Sequence, residues 1–307
     1  MPDVKASVPT ANVKETSDSD TFTIPEVAIV NKINDQLTIG IGAFGVSGMG
    51  VDYRDKDPNL NNLYTNFQFM RIIPAISYEV MPGFSLGGSL HLAWGSLDLA
   101  KGASQDYGLG AQVGIGYDLG MISVGAEYTS EIAMTYKNVQ VVSGQYRDLK
   151  LTQPQEFAIG VGVKPMPNLK VGLDIRWINW SDAKGYKDFG WDDQWVFALG
   201  GEYKIDKLAL RAGYNYGKSP LDDIYLPGVP NTDPRFQNAF FNVVGFPAVA
   251  EHHFTFGGGY QFTKHFTLNV SFVYSPKADV KFVNGGTTVV KSEMTQTSIG
   301  IGLDWNF

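Results

Sequence analysis

Alternation of large apolar residues with small or polar ones runs through this chain to its last residue. In Ile299-Gly300-Ile301-Gly302-Leu303-Asp304-Trp305-Asn306-Phe307 the odd positions are large and apolar, and the even ones are Gly, Asp or Asn. Successive side chains of a strand point to opposite faces, so each such segment carries one apolar face and one small or polar face. Phe266, Leu268, Val270, Phe272 and Tyr274 repeat the pattern against Thr267, Asn269 and Ser271, as do Leu208, Leu210, Tyr214 and Tyr216 against Arg211, Gly213 and Asn215. Trp195, Phe197, Leu199 and Tyr203 follow it, as do Leu169, Val171, Leu173, Ile175 and Trp177. Further segments near 22–33, 36–47, 65–81, 84–97, 106–118, 121–135, 152–164 and 252–262 bring the expectation to roughly thirteen strands.

The connections alternate in length. Tight turns are expected at Asn34-Asp35, Met81-Pro82-Gly83, Leu119-Gly120, Pro167-Asn168, Ile205-Asp206 and Thr263-Lys264, and longer loops near 50–64, 98–105, 136–150, 181–190, 218–250 and 279–292. Short turns at one end and long loops at the other describe an all-β, transmembrane antiparallel β-barrel of the bacterial outer membrane, with short turns on the periplasmic side. Single-chain barrels of that kind have an even strand number. A strand is therefore expected to precede the first visible one, giving about fourteen in the full protein. Residues 1–20 are expected as a polar segment holding at most the end of that strand, and residues 21–307 as the barrel domain. Met1-Pro2-Asp3 opens no basic and apolar leader, which suggests that the native N-terminus is missing.

Composition removes other classes. The chain has 307 residues with 35 Gly, 13% aromatic and 18% charged residues, a mix that disfavours disorder and helical bundles. A formal charge of -7 argues against a nucleic-acid partner. Zero Cys excludes disulfides, thiolate metal sites and a Cys nucleophile. Trp94, Trp177, Trp180, Trp191 and Trp195 fall at strand ends beside long loops and Trp305 at the other end, as two interfacial aromatic girdles would require.

Chemical motifs are sparse. Gly40-Ile41-Gly42-Ala43-Phe44-Gly45 matches a dinucleotide fingerprint, but more Gly follows it instead of a helix, so a strand bulge is expected there. His252 and His253 are adjacent, face opposite sides of a strand and cannot chelate one metal. No H-E-x-x-H or G-x-S-x-G string occurs. Neither catalytic residues nor a metal or other cofactor are therefore assigned. Asp174, Arg176, Glu202 and Arg211 are expected on the inward face as a lumen charge network, whose arginines could meet a carboxylate. Phe236, Phe240, Phe241 and Phe246 are expected in a long outer loop, either as a cap over the mouth or as a landing site for hydrophobic substrate.

Several segments resemble the FadL/TodX family of outer-membrane transporters of long-chain fatty acids and hydrocarbons. Ile24-Pro25-Glu26-Val27-Ala28-Ile29-Val30 with Ile33-Asn34-Asp35-Gln36-Leu37 looks like the family's second strand and turn, and Gly42 to Met49 looks like its third. Phe246-Pro247-Ala248-Val249-Ala250-Glu251-His252-His253-Phe254-Thr255, Arg211-Ala212-Gly213-Tyr214 and Ser219-Pro220 resemble later signatures. The resemblance implies a fourteen-strand barrel plugged by an N-terminal hatch, which this sequence lacks along with the family's opening Asn-Pro-Ala string. It also implies an inward kink of the third strand that lets an apolar substrate leave sideways, carried here by Phe44, Gly45, Val46, Ser47 and Gly48.

Passive uptake of hydrophobic compounds follows as the expected function, with a general diffusion porin or structural barrel as the alternative. The expected partners are a hydrophobic small molecule, outer-membrane lipid, lipopolysaccharide and the barrel-assembly machinery, and the expected state is a monomer.

Overall fold

The computed structural model describes every residue except 143 and 144. Its strands are β1 (Pro2–Val8), β2 (Val13–Thr16), β3 (Glu26–Lys32), β4 (Leu37–Asp52), β5 (Tyr64–Met81), β6 (Phe84–Asp98), β7 (Ser104–Asp118), β8 (Ile122–Thr129) and β9 (Thr135–Val142). They continue with β10 (Gln145–Lys150), β11 (Glu156–Met166), β12 (Leu169–Ile178), β13 (Gln194–Ile205), β14 (Leu208–Gly217), β15 (Ile224–Leu226), β16 (His252–Gln261), β17 (Phe266–Asn284) and β18 (Thr287–Trp305), and one helix, α1 (Pro234–Gly245), precedes β16.

The wall is one antiparallel sheet whose neighbours run β2-β1-β18-β17-β16-β14-β13-β12-β11-β8-β7-β6-β5-β4-β3. The strands from β3 to β8, β11 to β14 and β16 to β18 are those the alternation predicted. Eighteen strands among the described residues are more than the roughly thirteen expected, because β1, β2, β9, β10 and β15 add short pieces without long alternating runs. β9 and β10 form a separate hairpin, and β15 pairs in parallel with β17. Residues 1–20 hold more than a polar segment: Val4, Ala6 and Val8 are buried, and β1 pairs with β18 from Pro2↔Gln296 to Ser7↔Lys291.

The sheet curls without a closed ladder, because no pairing joins β3 to β18 among the described residues. Its curvature is visible in the cavity it surrounds. Glu26 on β3 lines the same space as Gly300 and Gly302 on β18 and Arg211 on β14.

All the predicted tight turns lie at one end of the wall. The expected loop near 279–292 does not exist. β17 and β18 instead run 19 residues each and are joined by Gly285-Gly286, with φ of 57° and 81°. Two consecutive positive-φ residues make the primed turn that matches strand twist, so the Gly pair lets the hairpin continue. Apolar Val280, Phe282 and Val290 were too few to mark it as strand, yet all three are buried on its inner side.

Outward faces are apolar around the wall: Leu90, Leu109, Val113, Ile159, Leu199, Phe256 and Ile301 are all exposed. Tyr78, Tyr203, Tyr260, Phe262 and Trp305 ring the short-turn end, while Tyr107, Tyr128 and Trp195 mark the other. Trp180 and Trp191 depart from the expected girdle. They turn inward and pack against each other at 5.1 Å and against Tyr186 at 4.6 and 4.8 Å, because the 179–193 loop folds over the mouth. Burial pushes the Tyr186 phenol well above its usual pKa.

Small residues on the upper inner wall seat the loop above them and do not leave a passage there. A Cβ on Gly108 or Gly110 would strike Ile132, and one on Gly95 would meet the Tyr136 hydroxyl and Met134. Ile132, Met134 and Tyr136 are at most 2% exposed, seated where those glycines omit a side chain. Gly108→Val is expected to cost about 1–3 kcal/mol by overpacking, read as a lower thermal transition of the detergent-solubilised protein. An unchanged transition would show that the 130–136 segment does not need this seat.

Candidate functional site: the lumen beneath the cap and the break in its wall

The predicted bulge lies where the Gly-rich run put it. β4 and β5 keep register to Gly45↔Met70 and resume at Ser47↔Phe69, leaving Val46 as the extra residue. A bulge shifts the parity of the strand that carries it. Below it Phe44 points inward opposite Arg71; above it Ser47, Met49 and Val51 take the inward positions, against Phe69, Phe67 and Thr65.

The bulge also marks where β4 loses its other neighbour. The Gly45 N–H donates to the Pro25 carbonyl at 3.1 Å, and the Asp18 N–H donates to the Asp52 carbonyl at 2.9 Å. Between those bonds, no backbone hydrogen bond joins 19–24 to 46–51 among the described residues. Six residues of unpaired edge amount to about 20 Å of wall. Phe22 and Ile24 lie across this break: Ile24 stands over Gly45, whereas a Cβ on Gly48 would make only ordinary contacts, with the Phe67 carbonyl and the Phe22 ring. Of the predicted passage residues, Phe44 faces the lumen, Gly45 and Gly48 face outward, Val46 is the exposed bulge residue and Ser47 points in.

Arg71, which sequence reading did not single out, stands at the inner side of the same place. It is 9% exposed, its guanidinium lies 5.2 Å from the Phe69 ring centroid, and its Nε has no hydrogen-bond partner. Glu127 and Glu156 are instead engaged by Arg176, at 3.7 and 3.0 Å. A buried cation without a carboxylate is costly to hold and marks a place where an anion would be stabilised. Nearby on the inward face of β6, His91 is 2% exposed, with Nε2 3.2 Å from the Ser89 hydroxyl and Nδ1 unpartnered. The odd-numbered run Phe67, Phe69, Arg71 places its side chain on the inward face, but nothing in the sequence says that it meets no carboxylate there.

The four predicted lumen charges do not form one network: Arg211 and Glu202 pair, Arg176 takes other partners, and Asp174 stands apart. Arg211 donates to Glu202 at 2.8 Å and to Asn269 at 2.8 Å, and Asn269 donates to Asp304 at 2.8 Å. Arg176 turns toward β8 and β11, as described above. Asp174 joins neither arginine; its carboxylate lies over Gly160. Together these residues line two adjoining cavities of about 820 and 920 Å³ in the short-turn half of the lumen.

The predicted Phe-rich loop contains α1. Asp233 caps it, accepting the Arg235 N–H at 2.8 Å, and Pro234 occupies the first turn. The Arg235 guanidinium holds the Asp233 carboxyl below its usual pKa. Phe240 and Phe246 are buried; Phe236 packs on Phe282 at 4.9 Å, and Phe241 lies between Phe189 and Phe246 at 5.9 and 5.6 Å. Asn242 accepts from Trp191 at 3.1 Å and donates to the Phe189 carbonyl at 2.7 Å, and Thr65 donates to the Gly245 carbonyl at 2.7 Å. These contacts make α1 part of a cap set into the mouth. Asp233-Pro234 followed by apolar residues at helical spacing was the missed signal.

The family model described as "Outer membrane protein transport protein (OMPP1/FadL/TodX)" matches residues 2–107 and 97–307. The chain belongs to the OMPP1/FadL/TodX family. Membership makes it an outer-membrane β-barrel transport protein; barrels of this kind keep their short turns in the periplasm and their long loops outside. Solved structures agree in fold. The Pseudomonas putida toluene transporter TodX superposes with a TM-score of 0.73 at 19% identity, over 100% of this chain and 87% of that one. A Pseudomonas aeruginosa FadL homologue gives 0.67 at 14% over 99% and 87%, and the Ralstonia pickettii toluene transporter TbuX gives 0.66 at 14% over 100% and 87%. No curated protein matches the chain in sequence.

Proposed function

We propose that this OMPP1/FadL/TodX protein takes up hydrophobic compounds passively, long-chain fatty acids or aromatic hydrocarbons, and releases them sideways through the break between 19–24 and 46–51. The observation that carries the reading is the coincidence of three features at one height: the β4 bulge, the unpaired edge above it, and the inward Phe44 and Arg71. An apolar molecule leaving there enters lipid without crossing the polar lower lumen, whose Arg211, Glu202 and Asp304 would have to be desolvated to pass it. Phe44, Gly45, Val46, Ser47 and Gly48 form the rim in this reading, Arg71 holds an anionic head group if the substrate has one, and the α1 phenylalanines close the mouth from outside. The protein acts without covalent chemistry, as a monomer inserted by the barrel-assembly machinery, with 21–307 as the barrel and 1–20 lying on its edge.

A general porin fits less well, because buried Trp191, Phe240, Val243, Val244 and Phe246 fill the outer mouth. The deciding experiment expresses the protein in an outer membrane that lacks other transporters of this type and compares uptake of labelled oleate, toluene and a sugar of similar mass. Uptake of oleate or toluene with exclusion of the sugar is expected. Equal uptake of the sugar would establish the porin instead.

A further inference from the structure

The outward face of the β17–β18 hairpin changes character where it leaves the apolar belt. Val270, Phe272 and Tyr274 point outward along β17. After the register shift between Ser275 and Ala278, the next outward residues are Lys277, Asp279 and Lys281. Lys281 stands across the ladder from Lys291, and Asp279 across from Glu293. β1 and β2 extend the same face with Lys5, the partner of Glu293 on β18, and Lys14. Five lysines thus gather on one strip of a chain whose net charge is -7; Lys5 is paired with Asp3 at 2.6 Å and Lys281 with Asp223 at 3.5 Å, which leaves Lys14, Lys277 and Lys291 around one shared carboxylate. Tyrosine prefers the level of lipid head groups, and Lys277 lies three residues, roughly 10 Å of strand, beyond Tyr274.

Glu293 organises three of these lysines. Its carboxylate accepts Lys14 at 2.9 Å on one oxygen, and Lys277 at 2.7 Å and Lys291 at 3.1 Å on the other. The last two ammonium nitrogens are therefore no farther apart than the sum of those two contacts. The Glu293 side chain is only 13% exposed, whereas those of Lys14 and Lys277 are 58% and 57% exposed. Lys291 also reaches Asp279 at 3.2 Å; each ammonium has three donors, so Lys14 and Lys277 spend one on Glu293, Lys291 spends one on each carboxylate, and the remaining donors are free for a ligand. Converging donors with this spacing suit a phosphate, whose several oxygens bridge neighbouring cations.

We propose that this strip is a docking surface for the phosphate groups of an outer-leaflet glycolipid. Lys14, Lys277 and Lys291 bind the phosphate, and Glu293 positions them. The proposal rests on the outer-membrane location and the height of the strip above the apolar belt; it stands whether or not the transport reading does.

The test uses the whole detergent-solubilised protein and native mass spectrometry with bisphosphorylated lipid A and its dephosphorylated form. The wild type is expected to hold the phosphorylated lipid at least about tenfold more tightly, and salt at 1 M, with a Debye length of ~3 Å, should weaken that preference. The triple variant Lys14→Gln, Lys277→Gln, Lys291→Gln is expected to lose it. Lys277→Glu, a single exposed change, serves if the triple variant fails to show the folded band on an unheated gel. Replacing Lys32, Lys207 and Lys264 at the periplasmic end by Gln should change nothing. Equal binding of the two lipids, retention of the preference in the variants, or an equal loss in the periplasmic control would each overturn the proposal.

Discussion

Gly48→Trp is expected to cut uptake of a hydrophobic substrate by about tenfold or more, equivalent to at least ~1.4 kcal/mol on the passage barrier. Gly48 faces outward above the bulge, and a Cβ there would find nothing nearer than the Phe67 carbonyl at 3.7 Å and the Phe22 ring at 3.9 Å. A Cβ fits at this position without a clash, and an indole carried on it would lie against Phe22 across the break between 46–51 and 19–24. Gly45→Trp is a poorer probe, because its Cβ would already stand 2.8 Å from Ile24. That variant mixes blockage with distortion of the wall, whereas the Gly48 variant isolates blockage. Folding is checked by gel mobility with and without heating, and uptake by labelled oleate and toluene in cells. Normal uptake by a folded Gly48→Trp protein would remove the lateral route and send the substrate through the lower lumen.

Arg71→Leu is expected to separate acidic from neutral substrates. A charge-assisted hydrogen bond contributes about 1.5–3 kcal/mol, so loss of the guanidinium should weaken retention of a fatty acid by roughly ten- to a hundredfold and leave toluene unaffected. The folded protein should not suffer. Replacing a buried charge that lacks a partner with an apolar side chain is commonly neutral or stabilising, and Leu packs as well as Arg against Phe69. A thermal transition equal to or above that of the wild type, with selective loss of fatty-acid binding, would establish Arg71 as the head-group anchor. Equal loss of both substrates would instead make it a positioning residue for the upper lumen.

The membrane wall was legible because lipid on one side and lumen on the other impose period two on every spanning strand. The bulge was legible for a related reason: Gly42, Gly45, Gly48 and Gly50 crowd into one strand that would otherwise weaken. Where the environment is not two-sided, the pattern fails. The outer half of the β17–β18 hairpin alternates charges with apolar residues, and the helix α1 lay hidden among phenylalanines that a cap or a landing loop explains without any helix. Trp180 and Trp191 satisfied the rule for an interfacial belt by position in the chain, but a tryptophan beside a long loop can turn either way. Arg71 was invisible for a different reason. What sets it apart is the absence of a partner, and a missing contact is a property of three dimensions.

The glycines that seat Ile132, Met134 and Tyr136 bear on how such barrels diverge. If each outer loop rests in sockets cut into strands far from it in sequence, a loop cannot be exchanged between relatives as a free module. A graft that brings a new 130–155 segment onto this wall must bring residues that fit opposite Gly95, Gly108 and Gly110, or else carry those positions with it. Substrate range, to the extent that it is set by the cap, is then inherited through paired changes in loop and wall.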